Sequence, residues 1–323
     1  MSRFDEMRIF SGTGNPALTN AISTYLGLRQ GDVHIDIFPN ENIFVKIQES
    51  VREQDVFVVQ SLGSPLSHNI MELLIMLDTL KRSSAGRVTA VLPYFAYSRT
   101  DKKDQPRVPI TARLLADLIV AAGAERVLTL DLHAGQIQGF FSIPVDEMSA
   151  FHLLVGEVRS WGLERGLVVS PGLGFAKRAR NFAETMGWPL AIVEKRRNAD
   201  SSVARLAILG EVEGFDCVIV DDEVATGHTM TRVAELLRAQ GARSVRACAI
   251  HALLGDGAAD RLRNSPIEAL VTTDTLAIRP QDRWPALKVK SVAPLLGEVI
   301  QRIHTGISVG SMFPEGQPQI GRW

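Results

Sequence analysis

Cysteine is nearly absent: Cys217 and Cys248 are the two thiols in 323 residues. Both sit in apolar, strand-like runs and lack metal-type spacing, so they read as core thiols of a reducing compartment. An excess of one charge is lacking too, the net being −1, which removes any general pull toward nucleic acid or anionic membrane. No apolar run approaches the roughly 18 residues needed to span a bilayer. The first residues, MSRFDEMRIF, carry acids where a signal peptide needs its apolar stretch. The histidines show no zinc-like spacing. These absences predict a cytoplasmic protein with neither membrane nor nucleic acid as partner. What is present, 46% apolar and 22% charged residues, is an ordinary globular balance, and the length suits two domains of about 150 residues.

Short β-rich runs alternate with helical patterns throughout. Strands are predicted at Met7–Phe10, Val33–Phe38, Ile43–Ile47, Val56–Gln60, Val88–Tyr94 and Val127–Leu130, with helices at Asn15–Leu28, Asn69–Lys81 and Ile110–Ala122. The helix HNIMELLIMLDTLK is apolar on most of its circumference, which predicts deep packing. The order then repeats in kind: helix Phe151–Trp161, strand Leu167–Val169, helix Ala176–Met186, strands Leu190–Val193 and Val203–Leu209, strand Cys217–Val220 with its helix, strand Val245–Ile250, helix Ala258–Arg263, strand Ile267–Val271 and helix Val292–Ile303. Alternation of this kind implies mainly parallel sheets covered by helices on both faces. Two α/β domains follow, residues 1–147 and 148–313, with a boundary near Pro144–Ser149. A Gly/Pro/Gln-rich tail, residues 314–323, reads as loose.

The most informative stretch is CVIVDDEVATGHTMTR, from Cys217 to Arg232. An apolar strand runs into Asp221 and Asp222, then into a turn of small and hydroxyl residues, Ala225-Thr226-Gly227-His228-Thr229, then into a helix. The free N–H groups and dipole of a helix N-terminus favour an anion, and acids ahead of it suit sugar hydroxyls or magnesium. This reads as a sugar-phosphate site; an ordinary βα turn without ligand is the alternative.

Four further places carry chemistry. In YFAYSRTDKKDQPR, Arg99, Lys102, Lys103 and Arg107 alternate with acids between a strand and a helix, a pattern for gripping polyphosphate or else a solvated basic loop. In LDLHAGQIQGFF, Asp131 and His133 follow a strand end, where open α/β sheets bind ligands, and read as a magnesium or phosphoryl site or as a structural histidine. SPGLGFAKRAR is a weaker second candidate cradle. The run Glu194–Arg197 ends a strand with three cations, as needed where charge spreads over transferring phosphoryl oxygens.

Together, YFAYSRTDKK, LDLHAGQIQGFFSIPVD, the KRR run and the VDD…TGHT loop, with HNIMELLIMLDTLKR and ISVGSMF, resemble the ribose-phosphate diphosphokinases, which make phosphoribosyl diphosphate (PRPP), from Met7 to Phe313. The resemblance implies two phosphoribosyltransferase-like (type I) domains with the active site between them, often in a homo-oligomer, a hexamer in that family. It implies transfer of the β,γ-diphosphoryl group of ATP, with Mg2+, to the C1 hydroxyl of ribose 5-phosphate. By position, Phe38, Asn40, Glu41, Asn42, Arg99, Thr100, Asp101 and Lys102 would hold ATP. His133, with Asp131, would meet the metal and the phosphates. Lys195 and Arg197 would stabilise the transferring group, Asp221 and Asp222 would face the ribose, and Ala225, Thr226, Gly227, His228 and Thr229 would cradle the 5-phosphate.

Several positions depart from the family pattern; on the adenine side Asn42 stands for the usual acid and Thr100 for glutamine, and four more lie on the acceptor side. Gly172 replaces an aspartate, Phe175 replaces a glycine and so predicts bulk beside phosphate, and Ala225 replaces an aspartate. His228 replaces a glycine and predicts a strained positive φ. Because the departures cluster on the acceptor and diphosphate side, three functions stay open: a PRPP synthase, a diphosphokinase for another sugar phosphate, and a non-catalytic regulatory paralogue assembled with a synthase subunit.

Overall fold

The computed structural model describes Phe4 and residues 6–196 and 205–312. The chain divides into two compact units. The first holds the residues up to Met148, together with Thr275–Ala277 and the stretch from Ser291; the second holds Ser149–Asp274 and Ile278–Lys290.

Unit 1 contains β1 (Met7–Ser11), α1 (Pro16–Leu26), β2 (Val33–Ile37), β3 (Ile43–Ile47), β4 (Asp55–Val59), α2 (Leu66–Arg82), β5 (Arg87–Leu92), α3 (Thr111–Ala122), β6 (Arg126–Leu130) and β7 (Val145–Met148). Its main sheet has the order β1-β4-β5-β6-β7 and every pair is parallel. The antiparallel hairpin β2–β3 stands apart from this sheet, with its half-buried Val33, Ile35, Val45 and Ile47 packed on the core. Residues Val56, Val58, Val88 and Ala90 alternate along β4 and β5 and share one apolar cluster with α2 and α3, one face of a sheet that is buried on both.

The helix α2 begins at Leu66, ahead of the expected Asn69, and is less deeply packed than its composition suggests. Met71 is 51% exposed, while the polar Asn69 and Glu72 are buried. The reason is a hydrogen-bonded plug: Glu72 accepts from the Thr13 N–H at 2.6 Å, the Thr13 hydroxyl at 2.7 Å and Gln60 Nε2 at 2.8 Å. A buried carboxylate so surrounded ties the loop after β1 to α2.

Unit 2 contains α4 (Phe151–Ser160), β8 (Gly166–Ser170), α5 (Ala176–Met186), β9 (Leu190–Arg196), β10 (Arg205–Leu209), β11 (Asp216–Val224), α6 (His228–Ala239), β12 (Ser244–Ala252), α7 (Ala258–Arg263), β13 (Leu270–Thr273) and β14 (Leu287–Lys290). The sheet order is β10-β9-β8-β11-β12-β13-β14, parallel except for the antiparallel edge strand β10. Cys217 and Cys248 are free and buried on β11 and β12, and burial pushes the Cys217 thiol up to about 12.

The last helix, α8 (Ala293–Thr305), belongs to unit 1, where it packs on α1. Gly297 permits this approach, since a Cβ there would lie 2.4 Å from Tyr25 Cδ1. Below it, Arg87 donates to buried Asp55 at 2.8 and 2.6 Å and to the Ile303 carbonyl at 3.0 Å, and His304 Nδ1 lies 3.0 Å from Asp55. The fold is thus α/β with mainly parallel, helix-covered sheets.

Candidate functional site

Adjacent parallel strands release their following loops at the same end of a sheet, and this brings several of the singled-out residues together in unit 1. The basic segment follows β5, and the Asp131–Phe141 segment follows its neighbour β6. Arg99, Lys102, Lys103 and Arg107 are exposed, whereas Asp101 is buried and accepts a short hydrogen bond from Gln136 Nε2. The two loops are therefore linked by side chains. Thr100 caps a turn by donating its N–H to the Tyr97 carbonyl at 2.8 Å and its hydroxyl at 2.7 Å.

Asp131 is buried and takes a left-handed φ of 42°, and His133 beyond it is exposed. Leu132 and Ile137, both buried, hold this loop down on either side of His133 and Gln136. The carboxylate of Glu147 on β7 accepts from the Leu132 N–H at 2.9 Å and from Gln138 Nε2 at 2.6 Å. Gln136, Gln138 and Glu147 had no assigned role in the sequence reading. The two glutamines lie inside a quoted motif, but only the parallel pairing of β6 with β5 and with β7 reveals their partners, Asp101 for Gln136 and Glu147 for Gln138.

Phe38, Asn40, Glu41 and Asn42 form the exposed tip of the β2–β3 hairpin. Within the tip, Asn42 accepts the Phe38 N–H at 2.9 Å, Glu41 has a φ of 64°, and the Phe38 ring lies 5.7 Å from that of Phe44. A projecting aromatic of this kind offers a stacking face for a base.

In unit 2, β11 runs on to Val224, past the predicted end at Val220, so Asp221 and Asp222 are strand residues. Asp221 is partly accessible, while Asp222 is 2% exposed, on a strand whose other residues are buried on both faces. Glu223, also buried, extends the acidic run beyond the pair singled out from sequence.

The turn that follows is fixed from α7 and the segment before it. Gly255 N–H donates to the Ala225 carbonyl at 2.9 Å, and Arg261 donates to the carbonyl of Thr226. Gly227 precedes α6 with φ 73°, and a Cβ there would meet Leu262 Cγ at 3.1 Å. His228 opens α6 and is absent from the left-handed residues among those described, so the expected backbone strain is not incurred. Thr226, His228 and Thr229 are exposed around the helix start, which among the described residues has no side-chain cap. The first N–H groups of a helix lack intrahelical partners and are suited to an anion.

The other departures also resolve locally. Phe175 turns inward: it is 8% exposed, its ring lies 6.0 Å from Phe151, and Phe151 in turn contacts Phe182. Its bulk is core packing and does not crowd the loop. Gly172 is extended (φ −172°) with open space where a Cβ would stand. Lys195 lies on β9 opposite Leu206 of β10, and Arg197 falls outside the described residues.

Magnesium requires oxygen donors and commonly uses one or two carboxylates plus substrate phosphates. Asp131 supplies one carboxylate, 4% exposed, and His133, two residues on, an exposed imidazole nitrogen, so most of the oxygen donors would come from substrate phosphates and water. Among the described residues no group of three or more His, Cys, Asp or Glu side chains forms a metal cage, and no helix is long and apolar enough to cross a membrane.

The profile of the N-terminal domain of ribose phosphate pyrophosphokinase matches residues 7–123, and that of the phosphoribosyl synthetase-associated domain matches residues 200–314. The ribose-phosphate pyrophosphokinase of Caldanaerobacter subterraneus subsp. tengcongensis is 45% identical over 320 residues, covering 97% of this chain and all of that protein. That of Rhizobium meliloti is 46% identical over 311 residues, covering 95% and 100%. The crystal structure of phosphoribosylpyrophosphate synthetase from Mycobacterium smegmatis superposes with a TM-score of 0.89 at 40% identity, over 93% of this chain and 99% of that one.

Proposed function

This chain belongs to the ribose-phosphate pyrophosphokinase family, and we propose that it carries out the diphosphoryl transfer of that family, from ATP to ribose 5-phosphate. The C1 hydroxyl oxygen forms a bond to the β-phosphorus, the bond from that phosphorus to the α,β-bridging oxygen breaks, and AMP leaves as PRPP forms. The hydroxyl proton is released to solvent as the transfer completes.

The observation that carries the acceptor assignment is the start of α6. A left-handed glycine and an uncapped helix N-terminus, flanked by Thr226 and Thr229 and preceded by Asp221 and Asp222, match a sugar phosphate. Ala225 to Thr229 hold the 5-phosphate, and Asp221, the accessible member of the acidic pair, meets the ribose hydroxyls with Asp222 buried behind it. On unit 1, Phe38 stacks on the base with Asn40, Glu41 and Asn42 around it, while Arg99, Thr100, Asp101 and Lys102 line the nucleotide. His133 meets the phosphates, and His133 and Asp131 would hold Mg2+, which would bridge their charge to that of the phosphates. When bound, Mg2+ neutralises phosphate charge. Lys195 and Arg197 offset the charge of the group in transit, since such transfer depends mainly on positioning and electrostatics. A cytoplasmic location and a homo-oligomer, a hexamer, belong to the same proposal.

The test is AMP release from purified protein and Mg-ATP with and without ribose 5-phosphate. Dependence on the sugar phosphate at about 1 per second or faster is expected. No AMP with ATP binding intact overturns the assignment and favours another acceptor or a regulatory subunit.

A further inference from the structure

We infer that Glu147 is a positioning residue for His133, its carboxylate clamping both ends of the loop that presents the imidazole. This rests on the reading of His133 as the group that meets the nucleotide phosphates. Leu132, whose N–H donates to Glu147 Oε1 at 2.9 Å, immediately precedes His133. Gln138, whose Nε2 donates to Oε2 at 2.6 Å, closes the turn after it. One rigid, acceptor-only group thus fixes the entry and the exit of the same loop, and hydrogen bonds to an ionised acceptor are the stronger kind.

The main chain of β7 reinforces the clamp. Asp131 N–H donates to the Met148 carbonyl at 2.9 Å, next to Glu147. Between these anchors Asp131 adopts its left-handed φ of 42°, a conformation that persists in a non-glycine residue when its surroundings over-determine it. Leu132 and Ile137, 2% and 0% exposed, anchor the loop in the core on either side of the exposed His133. Gln136 rides on the same loop and bonds Asp101, carrying the restraint to the basic segment after β5. Glu147 itself is half-buried behind the loop and acts through it.

Glu147→Ala and Glu147→Gln separate the clamp from general stability. Glutamine keeps the shape and, with the Gln138 amide turned over, both hydrogen bonds; alanine removes both. Steady-state AMP release is measured for each variant, together with hydrogen exchange of the peptide 131–138 without substrate. In Glu147→Ala, kcat falls roughly 10- to 100-fold, as small misplacements of reacting groups do, with KM for ribose 5-phosphate within about threefold. Glu147→Gln stays within about threefold of wild type, and exchange in the alanine variant accelerates in 131–138 but not in β1 or α2. Wild-type kcat in Glu147→Ala overturns the inference, as does an equal loss in both variants with faster exchange across the whole unit. If the wild-type protein releases no AMP, the functional reading falls while the exchange arm still decides the clamp: unchanged protection of 131–138 in Glu147→Ala overturns it.

Discussion

Gly227 takes the left-handed turn ahead of α6, with φ 73°, so that His228 enters the helix as its first residue. The exposed imidazole therefore stands at the edge of the candidate phosphate cradle without distorting it. His228→Gly is expected to change stability by less than about 1 kcal/mol at this first helical position. Gly227→Ala is expected to cost about 1–2 kcal/mol from the left-handed conformation alone, before its contact with Leu262. Urea denaturation reads both values. The KM for ribose 5-phosphate should rise in Gly227→Ala, because the helix N–H groups would shift.

The inward turn of Phe175 sets its replacement apart from that of Gly172. Phe175→Gly removes a buried ring against Phe151 and is expected to cost about 3–5 kcal/mol. Gly172→Asp adds a side chain into open space on an extended backbone and should leave the melting temperature within about 2 °C. If the acceptor loop has merely drifted from the family pattern, that variant raises turnover of ribose 5-phosphate; an unchanged rate would show that Gly172 is not the limiting difference.

Acid sensitivity should centre partly on Asp216. Its bonds from Arg243, with that from Ser244 at 2.7 Å, hold the carboxyl down from 3.8 to about 2 against the opposing effect of burial. A carboxylate whose folded value is depressed stabilises the protein above its unfolded value and loses that contribution as pH falls. Between about pH 4 and pH 2 the wild-type protein should lose up to about 2 kcal/mol that Asp216→Asn does not lose, as read from urea midpoints across that window.

Asp55 is fully buried between Arg87 and His304, under α8. Asp55→Ala would remove the charged partner of Arg87, leaving its bond to the Ile303 carbonyl, and should cost about 3 kcal/mol. Limited proteolysis should then cut first near Ser291 if this cluster secures the helix; unchanged cleavage would show that packing on α1 suffices.

Much of the architecture was legible along the chain. Alternating apolar runs and helical periods gave the α/β class, and Ile43–Ile47, Ala176–Met186 and Ala258–Arg263 have the bounds that pattern and capping signals predict. The edge strands β7 and β14 escaped because VDEM and LKVK are short and half polar, and only pairing with a neighbouring strand makes them strands. The clustering of cations after β5 and of Asp131 and His133 after β6 was also readable, since motif order and strand ends suffice for it.

Local sequence determined which segments form strands, helices and phosphate-type turns, because backbone preference and apolar period act over a few residues. The direction of Phe175, the helical backbone of His228, the return of α8 to unit 1 and the grip of Glu147 on its loop were decided by tertiary structure. Each depends on a partner brought near by the fold. Packing space and hydrogen-bond partners exist only once strands have paired and helices have docked.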